Sequence, residues 1–229
     1  MTDYSPKSLA EVVIGDAFSN DAVNYIADGS LPFPNAGKNG FLIHGPYGTG
    51  KTTLAKLLPS EIEQLHGKPA NPFYWFREGD EDGKVNGKIV KDLASASTLQ
   101  PLGTHFNHFI IDEVDLLSTA HQRKLRSSMN VNNGIFYLTT NNIHAIDGGV
   151  RNRCFEIHMC AASADQWLPL FNRVLADKGA QIISPLSALP IIEKCGGSIR
   201  DIVAAANVTA VKLLKQAAAN SNTADQDAA

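Results

Sequence analysis

Cysteine is scarce in this chain: Cys154, Cys160 and Cys195 are the only three among 229 residues. An odd number without C-x-x-C spacing argues against a disulfide framework and against a structural zinc site, so a reducing cytoplasm is the expected compartment. No apolar run reaches 18 residues, so no membrane-spanning helix and no membrane partner are expected. The opening MTDYSPKSLAEVV lacks the basic-then-apolar plan of a secretory leader. Charge bias is slight as well, with 20 Lys+Arg against 23 Asp+Glu. This excludes a globally basic nucleic-acid binder, and any DNA contact must come from a local patch. Zinc-finger spacing, an RNA-binding aromatic signature, a basic tail and internal repeats are all missing.

What is present is ample apolar material, 44% of the residues, enough for a core without cross-links. The length suits one ordinary domain plus a small companion. Gly29 to Gly40 and Glu78 to Gly87 read as loops. Short apolar runs at Phe41–His44, Phe73–Phe76, His108–Ile111, Gly134–Thr140 and Cys154–Met159 read as strands. Residues 1–20 read as an extended start and a short helix that continues over Asp21–Ala27; between the strands, Thr52–Leu58 (with Pro59 soon after), Lys88–Ala96 and Thr119–Met129 read as helices. In the last of these, Ala120, Leu125 and Met129 are expected to face inward. Alternation of this kind indicates a parallel α/β sheet. After Cys160 the pattern becomes all-helical, over Asp165–Lys178, Ser184–Lys194 and Ile199–Lys215. The expected organisation is an α/β core over 1–161, a helical lid over 162–217 and a disordered tail over 218–229.

Gly45-Pro46-Tyr47-Gly48-Thr49-Gly50-Lys51-Thr52 matches G-x-x-x-x-G-K-[ST], between a predicted strand and a predicted helix. Glycines let a backbone wrap phosphates with its N–H groups, and the helix start adds its positive dipole end. Lys51 is placed to reach the β- and γ-phosphates and the Thr52 hydroxyl to ligate Mg²⁺, with Thr53 completing the phosphate-binding segment. ATP and Mg²⁺ are the expected cofactors. Asp112 and Glu113 end a buried strand, where open α/β sheets bind ligands. Asp112 would hold Mg²⁺ through water, and Glu113 would orient and deprotonate an attacking water.

These residues resemble a known family. Tyr4-Ser5-Pro6-Lys7-Ser8-Leu9 followed by Val12-Val13-Ile14-Gly15 is similar to the opening of clamp-loader subunits among the AAA+ ATPases, as in replication factor C small subunits and phage clamp loaders. The phosphate loop, Asp112-Glu113-Val114-Asp115, Tyr137-Leu138-Thr139-Thr140-Asn141, Arg151-Asn152-Arg153-Cys154 and Gly196-Gly197-Ser198-Ile199-Arg200 extend the resemblance from about residue 4 to 215.

The resemblance implies an AAA+ core with a lid. Asn141 takes the sensor-1 role, touching the γ-phosphate or the water. Arg200 takes the sensor-2 role. Arg153 takes the role of an arginine that reaches the ATP of the next subunit, although the family's Ser-Arg-Cys is here Asn-Arg-Cys and Arg151 is an alternative. Tyr4, Val13 and Ile14 match the adenine-side wall. Partners implied are identical or homologous AAA+ subunits in a ring or spiral, with DNA and a sliding clamp as further candidates. Lys84, Lys88, Lys91, Arg123, Lys124 and Arg126 are the candidate phosphate-backbone contacts.

The family's helical collar does not follow the lid helix in this sequence. Nor does the winged helix of a Holliday-junction branch-migration motor, which shares parts of the opening and the sensors. Three functions stay open at this point. The first is a DNA-linked clamp-loader ATPase; the second, an ATP-dependent assembly or targeting protein such as a helicase loader or transposition regulator. The third is a remodeller of a non-DNA complex.

Overall fold

Five short apolar strands build one parallel sheet: β1 (Gly40–His44), β2 (Tyr74–Glu78), β3 (Asn107–Asp112), β4 (Gly134–Thr140) and β5 (Cys154–His158). Their order is β2-β3-β4-β1-β5, and every neighbouring pair is parallel. This computed structural model describes residues 4–68, 71–79, 86–96, 99, 101 and 103–226. Successive side chains of a strand point to opposite faces. Phe41 and Ile43 accordingly join Ile110, Tyr137 and Ile157 under α1 (Ala17–Ala27) and α2 (Lys51–Leu65). Leu42 joins Phe109, Phe136 and Leu138 under α3 (Asn86–Ala96), α4 (Thr119–Ser128) and α5 (Gly148–Arg151). Both faces of the sheet are therefore covered, as parallel sheets require.

Several local expectations are corrected. The helix expected to run on to Ala27 begins at Ala17, where the Asp16 carboxylate accepts from the Ser19 N–H at 2.8 Å and caps it. α2 passes through Pro59 and continues to Leu65. A mid-helix proline forfeits one hydrogen bond, but Ile62 and Glu63 beyond it are fully buried, and that burial carries the helix on. In α4 Ala120 is exposed, while Gln122 sits inside with Leu125 and Met129.

Glu63 also brings charge into the apolar face under α2. Its carboxylate accepts from the backbone N–H groups of His105 (2.6 Å) and Phe106 (2.9 Å) and pairs with His108 Nε2 at 2.9 Å. His108 Nδ1 lies 2.9 Å from the Tyr137 hydroxyl. A carboxylate only accepts, so Nε2 carries the proton and Nδ1 accepts from Tyr137. Burial would raise the Glu63 pKa, but these donors outweigh it and hold the carboxyl below its usual value. Burial pushes His108 down despite Glu63, and pushes the Tyr137 phenol well up.

The second unit comprises residues 161–229 together with Tyr47–Thr49. Its helices are α6 (Ala164–Asp177), α7 (Pro185–Glu193) and α8 (Ile199–Gln226). A capping box between Ser163 and Gln166 starts α6. Phe171, Val174, Ala188, Ile192, Ile202 and Ala206 are buried in this unit. The Ile199 N–H donates to the Gly48 carbonyl at 3.0 Å, tying the loop tip into the same unit. α8 runs on to Gln226, beyond the point where an Ala/Asn/Asp-rich composition reads as disorder. Alanine is the best helix former, and composition alone does not register that. By length and composition the segment Ile199–Ala219 is also apolar enough to cross a bilayer, contrary to expectation. In this structure its Ile202, Ala206 and Ala210 are buried within the unit.

Candidate active site

The chain leaves β1 at His44 and turns through the glycine-rich loop into α2. Gly45, Gly48 and Gly50 have φ of 148°, 76° and 93°, a region that side-chain-bearing residues avoid. A Cβ on Gly45 would stand 2.3 Å from the Met159 carbonyl oxygen at the end of β5. Gly50 immediately precedes α2, so the positive end of the helix dipole faces the loop, where an anion is favoured. The Lys51 ammonium donates to the Gly45 (2.9 Å) and Pro46 (2.6 Å) carbonyls. Of the remaining loop residues, Thr49 is buried, Tyr47 is exposed at the tip, and Thr53 is half-buried in the first turn of α2.

The acidic residues meet this loop through Thr52. Its Oγ1 donates to the Asp112 carboxylate, 2.8 Å from Oδ1 and 3.0 Å from Oδ2. A hydroxyl and a carboxylate are hard oxygen donors, the set that suits Mg²⁺. Glu113 follows in the left-handed conformation, φ 53° and ψ 51°, at a cost of about 1–3 kcal/mol for a non-glycine residue. Both flanking strands hold that turn. From β4, the Thr139 hydroxyl bonds Asp112 Oδ1 and accepts the Glu113 N–H at 3.1 Å. From the end of β2, the Gly79 N–H donates to the Asp112 carbonyl at 2.9 Å, and a Cβ there would sit 2.3 Å from the Glu113 carbonyl oxygen. Asn141 comes just after β4, between the strand that ends in the phosphate loop and the strand that ends in Asp112. Its Oδ1 is buried with no hydrogen-bond partner among the described residues.

At the edge of the same loop His44 stacks on His158, with centroids 4.9 Å apart. Burial and then the neighbouring imidazole hold His44 below its usual pKa. Ile14 is part of the core beside Leu54 and Ile157. Val13 is half-buried, and the Tyr4 hydroxyl is buried without a hydrogen-bond partner among the described residues.

Arg153 and Arg151 lie elsewhere. Arg153 precedes β5, whose Cys154 is in register with Gly40 at the start of β1. It is therefore at the opposite sheet end from Gly45, about 20 Å of strand away. Its Nε donates to Asn130 Oδ1 and its Nη1 to the Gly149 carbonyl, each at 2.9 Å. It lines a cleft of about 670 Å³ with Lys38, Asn39 and Phe106. Arg151 is engaged differently, pairing through Nε and Nη2 with the Glu156 carboxylate at 3.0 and 3.3 Å. Arg200 is exposed in the first turn of α8.

On the packed pair α3 and α4, Lys88, Lys91, Arg123 and Lys124 are exposed. Arg126 instead lies 3.7 Å from Asp147. Lys84 lies outside the described residues. Among the described residues no cluster of three His, Cys, Asp or Glu could hold a metal, and the three cysteines are free.

Sequence reasoning gave no role to three residues. Thr139 and Gly79 are the supports of the Glu113 turn. Gln122, inside α4, donates to the Leu117 and Ala145 carbonyls at 2.9 and 3.1 Å and accepts the Asp147 N–H at 2.7 Å. It thereby ties the turn after Glu113 to the cap of α5. One turn away along the helix only Leu125 is apolar among its neighbours, so its burial was not legible in the sequence.

A glycine loop closing on a helix start, a hydroxyl–carboxylate pair for a divalent cation and a polar residue on the intervening strand define a P-loop nucleotide site. The chain belongs to the ATPase family associated with various cellular activities (AAA), whose model matches residues 41–161. It is a clamp-loader-like member. The replication factor C large subunit of Methanosarcina mazei is 27% identical over 217 residues, 89% of this chain and 33% of that protein. The replication factor C small subunit 1 of Pyrobaculum arsenaticum is 27% identical over 235 residues, 98% of this chain. The chain spans 63% of that second relative's length. Among solved structures, a variant of Thermotoga maritima RuvB shares the fold with a TM-score of 0.66 at 20% identity, over 91% of this chain and 67% of that one. PCH-2 of C. elegans does so with a TM-score of 0.59 at 14% identity, over 90% and 72%.

Proposed function

We propose that this chain is an ATP-hydrolysing subunit of a clamp-loader-type machine in DNA replication or repair, working in the cytoplasm. It assembles with identical or homologous AAA+ subunits in a ring or spiral, with ATP at each interface. The loop N–H groups and Lys51 bind the β- and γ-phosphates. Thr52 and Asp112 hold Mg²⁺, which when bound neutralises charge on the phosphates. Glu113 orients the attacking water and takes its proton. Asn141 donates its amide to the γ-phosphate or the water and adds no charge. Arg200 reports the γ-phosphate from the lid, and Tyr4, Val13 and Ile14 flank the adenine. Lys88, Lys91, Arg123 and Lys124 neutralise DNA phosphates without reading bases.

The observation that carries the assembly reading is the position of Arg153. It stands at the amino end of the sheet, facing a cleft, while the phosphate loop stands at the carboxyl end. An arginine so placed serves the nucleotide of a neighbour, where it stabilises charge developing on the transferring phosphoryl group. The test is turnover with primed DNA and a sliding clamp. Arg153→Ala should lose about a hundredfold or more in turnover while still binding ATP, and adding it to wild type should poison the mixture. Dilute monomers hydrolysing at full rate would disprove the trans arginine. Turnover indifferent to DNA and clamp would remove the clamp-loader assignment and leave the ATPase.

A further inference from the structure

The Thr139 hydroxyl lies between the two acidic residues that end β3, and the side chain is 1% exposed. The Glu113 N–H can only donate, so Thr139 Oγ1 accepts it, at 3.1 Å. The Asp112 carboxylate only accepts, so the single hydroxyl proton goes to Asp112 Oδ1. Both directions are thus set by the partners, and the turn held in this way has a positive φ. Thr52 donates to the same Asp112 carboxylate. Gly79 occupies the far flank, with no room for a Cβ. One hydroxyl therefore connects the residue assigned to Mg²⁺ with the backbone of the residue assigned to the water.

We infer that Thr139 is a positioning residue for hydrolysis: its hydroxyl holds Glu113 in the left-handed turn from which the carboxylate reaches the attacking water. This deepens the proposed function and rests on its reading of Glu113. Valine has the shape of threonine without the hydroxyl, and serine keeps the hydroxyl without the methyl. Displacing a catalytic group by about an ångström costs on the order of a hundredfold.

The experiment measures kcat and KM for Mg·ATP, ATP binding and Tm on the full chain, for wild type, Thr139→Val, Thr139→Ser and Glu113→Gln. Expected are a kcat lower by about 10- to 100-fold in Thr139→Val with KM within about threefold of wild type, and recovery to within about threefold in Thr139→Ser. Glu113→Gln should bind ATP and not hydrolyse it. Three outcomes overturn the inference: wild-type kcat in Thr139→Val, a raised KM with unchanged kcat, or Thr139→Ser as slow as Thr139→Val. The first of these, with an inactive Glu113→Gln, leaves the ATPase reading standing. Full activity in Glu113→Gln removes the assigned role of Glu113, and the inference falls with it.

Discussion

The Thr52 hydroxyl and the Asp112 carboxylate, sixty residues apart in the chain, are joined at 2.8 and 3.0 Å between the first turn of α2 and the end of β3. The bond links the helix that opens on the phosphate loop to the strand that ends in the acidic pair. If these two groups hold Mg²⁺, Thr52→Val should weaken ATP binding about tenfold or more when magnesium is present. It should leave binding in EDTA nearly unchanged, because the loop N–H groups and Lys51 are intact. Titration calorimetry in the two buffers checks this, and equal losses in both would contradict the assignment.

The buried Glu63–His108 pair should make stability depend on pH in two steps. His108 titrates lower in the folded chain than its ordinary 6.5. Below that value the unfolded chain takes up a proton that the folded chain refuses, so stability is lost as pH falls from about 6.5. Glu63 is held below its ordinary 4.5, so its contribution is lost as pH falls further, from 4.5 downward. Wild-type Tm should therefore fall between pH 7 and 5.5 and again below 4.5. His108→Gln should flatten the first step and keep the second. His108→Ala, which strands two buried partners, should cost about 3 kcal/mol. Thermal melts across this pH range are the measurement.

Backbone-only DNA binding predicts a particular salt signature. Replacing Lys88, Lys91, Arg123 and Lys124 together by alanine should lower DNA affinity alike for all sequences. It should also reduce the slope of log K against log salt by about one for each DNA phosphate left without its cation. Basal ATP turnover should not change. A fluorescence titration at several salt concentrations decides it, and an unchanged slope would move the DNA site elsewhere.

Much of the fold was legible because its signals are local. Apolar runs such as Phe41–His44 and His108–Ile111 end in turn chemistry, and the helical spacing of α4 and α6 follows from burial of one face. The phosphate loop was legible for the same reason, since its glycines, Lys51 and Thr52 act as one contiguous segment. Local signals misled where packing overrode them. Pro59 reads as a stop, yet Ile62 and Glu63 bury beyond it. Ala120 reads as core, yet Gln122 took the inside because three backbone groups there needed an amide.

The sequence by itself determined which segment carries the glycine-rich loop, which strand ends in paired carboxylates, and where the pattern of alternating strands and helices gives way to helices alone. These are properties of neighbours along the chain. Only the tertiary structure decided that Thr139, on a different strand, supports Glu113, and that Arg153 and Gly45 stand at opposite ends of the sheet. It also decided that a glutamate and a histidine share the core. Those relations join residues tens of positions apart, and their energies come from burial and hydrogen-bond direction, which exist only once the strands have been laid side by side.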